Sequence, residues 1–433
     1  MGGARAVTAT LAVPPADTEG RDLAQRLFDR LRDATGDGVG ISRESYGSGE
    51  SLALDIVEAE ARAQGLEMVR DAGANLVVTL PGRDPSLPLI ACGSHLDSVP
   101  QGGNFDGAAG VVAGLMALAR FRAEGFAPSR GIVLYALRGE ESAWFGRAYM
   151  GSAALFGRLS AEDLATPHVV SGRPLIDCMR DAGVDVERVA RGERLLDPAS
   201  IAAWIEVHIE QGPVLVARKL PVAIVTGIRG NIRHRAIECL GEAGHSGTIP
   251  RWLRRDAVFA TAELITRLDR HWRTLLERGR DLVVTSGIIG TDPAEHALAR
   301  IPGRLRFSIE ARSQSTETLE AFYDLFLSEC AGIGEERGVE FRLDRRLDSA
   351  PARMDEGWIE RLRAGLRAMG LPDEPIPSGA GHDAAVFAQA GIPSAMIFIR
   401  NQHGSHNPLE AMEMSDFLLG AELLRRSLRD AAA

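Results

Sequence analysis

The stretch GSHLDSVPQGGNFDGAAG, residues 93–110, concentrates the residue types of a metal site. His95, Asp97 and Asp106 stand among glycines just past an apolar run at 88–92. Imidazole and carboxylate suit zinc, manganese or cobalt, and glycine lets the backbone turn tightly beneath such ligands. On an extended segment alternate residues share a face, so Asp97 can accept a hydrogen bond from the far nitrogen of a metal-bound His95. Asp106 opens a predicted helix, where a carboxylate either bridges two cations or caps the helix. Glu140 and Glu141 follow another apolar run, GIVLYAL. Adjacent carboxylates repel unless a cation or solvent screens them. One of the two can coordinate while the other handles a water proton; an exposed acidic turn is the plainer account. His208, in WIEVHIEQGPVL, alternates with Val207 and Ile209 and also fits a core histidine. His245 lies in GEAGHSG, His382 and Asp383 in GAGHDA, His403 and His406 in HGSHNPLEAM. His168, His234, His271 and His296 sit in polar or helical settings and are expected at the surface.

The elements that must carry these residues alternate between helix and strand. Helical spacing covers 19–35 and 51–70, strands are expected at 75–80 and 87–92, a helix at 108–120 and a strand at 131–137. Strand, loop and helix repeated in this way predict an α/β layered domain with a largely parallel sheet, whose chemistry collects at the carboxyl ends of strands. From about Ala223 the texture changes to alternating strands and two long helices, 254–276 and 316–334, in a β-α-β-β-α-β sense. After about Asp348 the first texture returns, with helices at 356–369, 384–390 and 415–431 and a strand at 394–399. An insertion domain within a catalytic domain is the simplest account.

At 433 residues two domains are expected. A formal net charge of −10 disfavours nucleic acid or an anionic membrane as the main partner, since both need a basic face. No run of about 20 apolar residues predicts a membrane span, and the first 20 residues read as a loose tail without a signal-peptide core. Cys92, Cys178, Cys239 and Cys330 form no CxxC pair and are expected as reduced thiols in the cytoplasm. No nucleophile elbow, P-loop or dinucleotide fingerprint stands in a strand-to-helix setting, which lowers the case for a serine hydrolase, an ATPase or a dehydrogenase.

The motifs GSHLDSVPQGGNFDGAAG, RGEES, HIEQGP, GHSGTIP, GAGHDA and GSHNPLE run in that order, and with them nearly the whole chain resembles the M20 metallopeptidase-like amidohydrolases. The likeness is to the branch containing N-carbamoyl-L-amino acid hydrolases, allantoate amidohydrolases and β-ureidopropionases. A histidine within HIEQGP, where many peptidase relatives carry a carboxylate, marks that branch. The resemblance implies two divalent ions per subunit (Zn, Mn, Co or Ni) held by His95, Asp106, Glu141, His208 and His406. Asp106 would bridge, with His95 and His208 on one ion and Glu141 and His406 on the other. It implies catalytic roles for Glu140 as general base, for Asp97, and for His245 as an oxyanion donor from the lid. It implies substrate contacts from Gln211, His245, Arg312, Gly381 and His382, Arg312 gripping a carboxylate by a two-pronged contact. The implied fold is an α/β/α zinc-peptidase-like catalytic domain, residues 1–222 and 347–433, with an inserted α+β, ferredoxin-like lid at 223–346 through which the protein forms a homodimer.

The expected reaction is hydrolysis of a linear C–N amide in a small N-carbamoyl (ureido) amino acid or related carboxylate. The alternatives are an N-acyl amino acid hydrolase (aminoacylase) or dipeptidase-like enzyme, and a non-catalytic binding protein on the same scaffold. Departures from the family pattern leave the metal set untouched: Ala299 where an asparagine is usual in the segment ARIPG and Arg251 for a methionine, both in the lid, Val216 for a glutamate, and an additional imidazole at His403.

Overall fold

The computed structural model describes residues 18–433; the expected loose tail before Thr18 lies outside the described residues. The chain separates into two compact units, one ending at Thr226 and resuming over Met354–Ala433, the other Gly227–Arg353. The first contains β1 (Glu67–Arg70), β2 (Leu76–Leu80), β3 (Leu89–His95), β4 (Ile132–Leu137), β5 (Ile201–Ile209) and most of β6 (Val222–Ile228). The second contains β7 (Gly230–Leu240), β8 (Gly244–His245), β9 (Val283–Thr285), β10 (Ile289–Gly290), β11 (Arg300–Ile301), β12 (Arg304–Ser313), β13 (Glu340–Arg342), β14 (Leu347–Ser349) and β15 (Ala352–Arg353). The chain then returns through β16 (Pro375–Ser378) and β17 (Ser394–Ile399).

The large sheet runs β1-β2-β4-β3-β5-β17-β6. Its centre, β4, β3, β5 and β17, is parallel throughout. These strands are apolar on both faces, as a sheet covered on both sides requires. IVLYAL and SAMIFI are buried at every position. The edge strand β1, EMVR, alternates between exposed and half-buried residues. Helix Ala108–Ala123 is small and apolar nearly all round and packs in the core with Leu134, Ile205 and Val207. A Cβ at Gly110 would stand 2.1 Å from the Val207 carbonyl oxygen, so glycine sets how closely this helix meets the sheet.

In the second unit the order is β10-β12-β7-β13, with β9 on β12 and β14 on β7. Helices Ala257–Glu277 and Thr316–Arg337 share its core with Ile237, Leu264, Phe307, Phe322 and Phe326. The expected insertion, 223–346, begins and ends a few residues early. Val222–Ile224 pair with β17 and so belong to the large sheet, while Leu347–Ser349 pair with β7.

Three further expectations are corrected. The helix expected over 51–70 stops at Ala63, because Glu67–Arg70 is taken up by antiparallel pairing with β2. His168 is buried: its Nδ1 accepts from the Val170 and Ser171 amides and its ring stacks on Trp144 at 5.6 Å. His234 is also buried, between Asp344 Oδ1 and the Tyr323 hydroxyl, each 3.0 Å away. All four cysteines are free and buried. Among the described residues no helix is long and apolar enough to cross a membrane.

Candidate metal centre

Four parallel strands deliver the chemistry at one edge of the sheet. β3 ends on His95 and its following loop carries Asp97 and Asp106; β4 leads to Glu140 and Glu141; β5 carries His208 and leads to Gln211; β17 leads to His406. This is the carboxyl-terminal edge of the sheet, where loops from adjacent parallel strands converge.

Asp106 lies between two donor groups. His208 Nε2 is 3.1 Å and His95 Nε2 3.5 Å from its Oδ1, and the two imidazole nitrogens are 3.4 Å apart. On the other side, His406 Nε2 is 3.3 Å from Asp106 Oδ2 and 3.2 Å from Glu141 Oε1. Each trio, His95–Asp106–His208 and Asp106–Glu141–His406, gathers its ligand atoms within 4.8 Å. The capping alternative for Asp106 is set aside: Gly107 is the N-cap and no side chain caps that helix. Gly107 has φ +65°, and a Cβ there would lie 2.6 Å from the His95 ring.

These residues fit divalent cations. Asp106 Oδ1 is buried and accepts no hydrogen bond, though two imidazoles face it. His208 Nδ1 lies 2.8 Å from the Ile209 carbonyl, so it carries the proton, and the unprotonated Nε2 accepts from the Gly107 amide at 3.2 Å beside Asp106. Imidazole nitrogens with carboxylate oxygens are the donor set of zinc, manganese or cobalt. Hydrogen bonds to Asp106 and Glu141 push His406 up to about 11.

Asp97 is a clamp as well as a partner for His95. Its Oδ1 lies 3.2 Å from His95 Nδ1 and accepts from the Glu140 amide at 3.0 Å; its Oδ2 accepts from the Glu141 amide at 3.0 Å and the Ser45 hydroxyl at 2.6 Å. The backbone of both glutamates is therefore set by the carboxylate that orients His95. Glu140 Oε2 stands 3.9 Å from His95 Nε2. Burial raises the Glu140 carboxyl well above its ordinary value; His95 opposes this and Glu141 adds to it. A carboxylate with raised proton affinity beside a cation-binding pair can both take and return a proton.

Gln211 and His406 both adopt left-handed backbone, φ 61°, a conformation non-glycine residues hold at a cost and often at functional sites. The Gln211 amide nitrogen is 2.7 Å from Asp106 Oδ2 and 3.3 Å from His406 Nε2. His382 is buried, its Nε2 2.9 Å from the Ser378 hydroxyl and its ring 4.4 Å from that of His208. Burial and neighbouring His208 lower it well below the ordinary value, so it stands neutral. Gly381 adjoins the Tyr149 hydroxyl so closely that a Cβ would overlap it.

His245 and Arg312 lie in the second unit. His245 is exposed, and its Nδ1 accepts from the Gly247 amide, leaving Nε2–H as an outward donor. It pairs with Arg300 on β11. Arg312 is near the far end of β12, opposite Asn231, with its Nε 3.0 Å from Glu310. The two residues stand on different sheets of that unit.

Several buried polar residues escaped the sequence reading. Glu206 accepts from the Ser94 hydroxyl and the Ala384 amide behind the imidazoles. Glu50 pairs with Arg138 and accepts from the Gly139 amide, just before the two glutamates. Arg43 and Glu410 flank the turn that carries Asp106. Glu50 and Arg43 stand in ordinary polar sequence; the signals were a charged residue, Glu206, inside the apolar run IAAWIEVHI, and the glutamate closing GSHNPLE.

Residues 91–430 match peptidase family M20/M25/M40. The chain is 33% identical over 407 residues to an N-carbamoyl-L-amino acid amidohydrolase of Geobacillus stearothermophilus, covering 94% of this chain and 97% of that one. It is 30% identical over 363 residues to an allantoate amidohydrolase of Escherichia coli strain K12, covering 84% and 86%. A crystal structure of a hydantoinase/carbamoylase family amidase from Burkholderia ambifaria superposes with a TM-score of 0.83 at 29% identity, covering 96% and 98%. With a family match across most of its length and donors converging on Asp106, this chain belongs to peptidase family M20/M25/M40.

Proposed function

We propose that this protein is a metal-dependent amidohydrolase that cleaves a linear C–N amide in a small N-carbamoyl (ureido) amino acid or related carboxylate. The observation that carries the reading is one buried carboxylate, Asp106, shared by two donor trios with Glu140 beside them. His95, Asp106 and His208 would hold one divalent cation, and Asp106, Glu141 and His406 a second, drawn from zinc, manganese, cobalt or nickel. Bound there, such ions lower the pKa of water and polarise a carbonyl. Glu140 takes the water proton and returns it to the leaving nitrogen. Asp97 keeps Glu140 and Glu141 in register with His95. For a ureido substrate, water adds to the carbamoyl carbon and the C–N bond breaks, giving ammonia and a carbamate, or carbamic acid and an amine; either route ends in CO₂, ammonia and the amine.

Gln211, Gly381 and His382 line the substrate side, His382 as a neutral ring. His245, with Nε2–H directed outward, donates to the developing oxyanion. Arg312 binds the substrate carboxylate. The reading includes a homodimer through this second unit, in which His245 reaches the partner's substrate. Exposed Trp252, Leu253 and Phe259, and Ile288 and Ile289 at edge strand β10, support that interface. Four buried free thiols suit a cytoplasmic protein.

The test is ammonia release by metal-reconstituted protein against carbamoyl-α-amino acids, carbamoyl-β-alanine, allantoate and N-acyl amino acids. Turnover of the acyl panel alone, with no ammonia, replaces this reading with an aminoacylase. Arg312→Ala is expected to raise KM about 10- to 100-fold for carboxylate-bearing substrates, the loss of a charge-assisted pair. An equal effect on uncharged amides removes that role. Mixing inactive Glu140→Gln and His245→Ala chains is expected to restore activity through hybrid dimers. Mixtures that exchange subunits but stay inactive place His245 in its own chain's site.

A further inference from the structure

The turn that carries Asp106 is gripped from two sides by residues with no assigned part in the reaction. Glu410 is 8% exposed. Its Oε1 accepts from the Phe105 amide at 2.8 Å and the Asp106 amide at 3.2 Å. Its Oε2 lies 2.6 Å from the Ser405 hydroxyl, which is also 2.6 Å from Asp106 Oδ2. One side chain thus joins the backbone of Asp106 to the residue preceding His406, across a separation of about 300 positions. Gly103 makes room for it: a Cβ there would lie 2.1 Å from the Glu410 carboxyl carbon. On the other side, the fully buried Arg43 donates to Asn104, Nη1 to the side-chain oxygen at 3.2 Å and Nη2 to the carbonyl at 3.5 Å.

We infer that Glu410 is a positioning residue that fixes Asp106 relative to His406 and thereby sets cation affinity at the Asp106–Glu141–His406 group. This rests on the two-cation reading above. The physical basis is unequal support. His95 and His208 belong to neighbouring β-strands and are held by sheet pairing, His95 opposite Leu137 on β4 and His208 opposite Phe398 on β17. His406 sits in a loop, half-exposed, and the contacts of Glu410 and Ser405 tie that loop to the Asp106 turn. Outer hydrogen-bond partners of metal ligands typically contribute 10- to 100-fold in affinity.

The experiment measures both cation dissociation constants by equilibrium dialysis with Co²⁺, and the Co²⁺ absorption spectrum of each site, in the parent, Glu410→Ala, Glu410→Gln and Gly103→Ala. Glu410→Ala and Gly103→Ala are expected to weaken one cation about 10- to 100-fold and leave the other within about threefold. Glu410→Gln should stay near the parent, because its amide oxygen still accepts from residues 105 and 106 and its nitrogen can donate to Ser405. Should Glu410→Ala fail to fold, Gly103→Ala and Glu410→Gln decide between them. Two unchanged constants in Glu410→Ala or Gly103→Ala, equal weakening of both sites, or a glutamine variant as impaired as the alanine, would overturn the inference. A parent that binds no second cation would instead sink the two-cation reading itself.

Discussion

Replacing Glu140 by glutamine is expected to lower kcat by about three orders of magnitude while leaving cation content at the parent level. Positioned acid–base groups contribute roughly 10²–10⁴ in rate, and here one group is asked both to take and to deliver the proton. The amide keeps the shape of the side chain. It also keeps the contacts that build the loop, because these are made by backbone: the Glu140 amide donates to Asp97, and the Glu140 carbonyl accepts from Tyr149. Only the ability to exchange a proton is lost. Ammonia release at saturating substrate measures the rate, and elemental analysis of the same preparation measures the metal. A variant with near-parental turnover rejects Glu140 as the base; one that also loses its cations shows that Glu140 acts as a ligand instead.

Asp106→Asn is expected to have a still wider effect, because both trios use the same carboxylate. Asp106 Oδ1 faces His95 and His208 while Oδ2 faces His406, Ser405 and Gln211. An amide offers one acceptor oxygen in place of two and turns N–H groups towards imidazole lone pairs or hydroxyls. At least one cation should be lost, with affinity reduced beyond the 10- to 100-fold attached to an outer partner, and turnover should become undetectable in the ammonia assay. Thermal unfolding gives an independent reading. Bound ions stabilise the native state by mass action, about 2.7 kcal/mol when ligand stands at 100 times its Kd. A chelator should therefore lower the parent's Tm by more than that of Asp106→Asn. Equal chelator shifts in the two proteins would count against a bridging Asp106.

Much of the centre was legible because its residues lie close to strand ends. His95 and the glutamate pair each follow an apolar run long enough to be a buried strand, and parallel strands bring such ends to one edge. His208 was ambiguous for a physical reason: on a strand buried along nearly all its length, a ligand and a core histidine show the same alternation with apolar neighbours. In the structure Nδ1 lies against the Ile209 carbonyl, and Nε2 accepts from the Gly107 amide beside Asp106. The surface expectation for His168 and His234 failed in the opposite direction. Polar neighbours in sequence say nothing about Trp144 or Tyr323, which cover those rings from elsewhere in the chain.

Residue order determined where strands end, which loops carry imidazoles and carboxylates, and that an α+β segment interrupts an α/β one; these are local properties of period, composition and spacing. Tertiary structure alone decided that Asp97 holds the backbones of both glutamates, that Glu410 reaches Phe105 and Asp106, and that His245 and Arg312 stand on separate sheets of the second unit. Those contacts depend on sheet order and strand register, which join residues tens to hundreds of positions apart and leave no periodic trace in the chain.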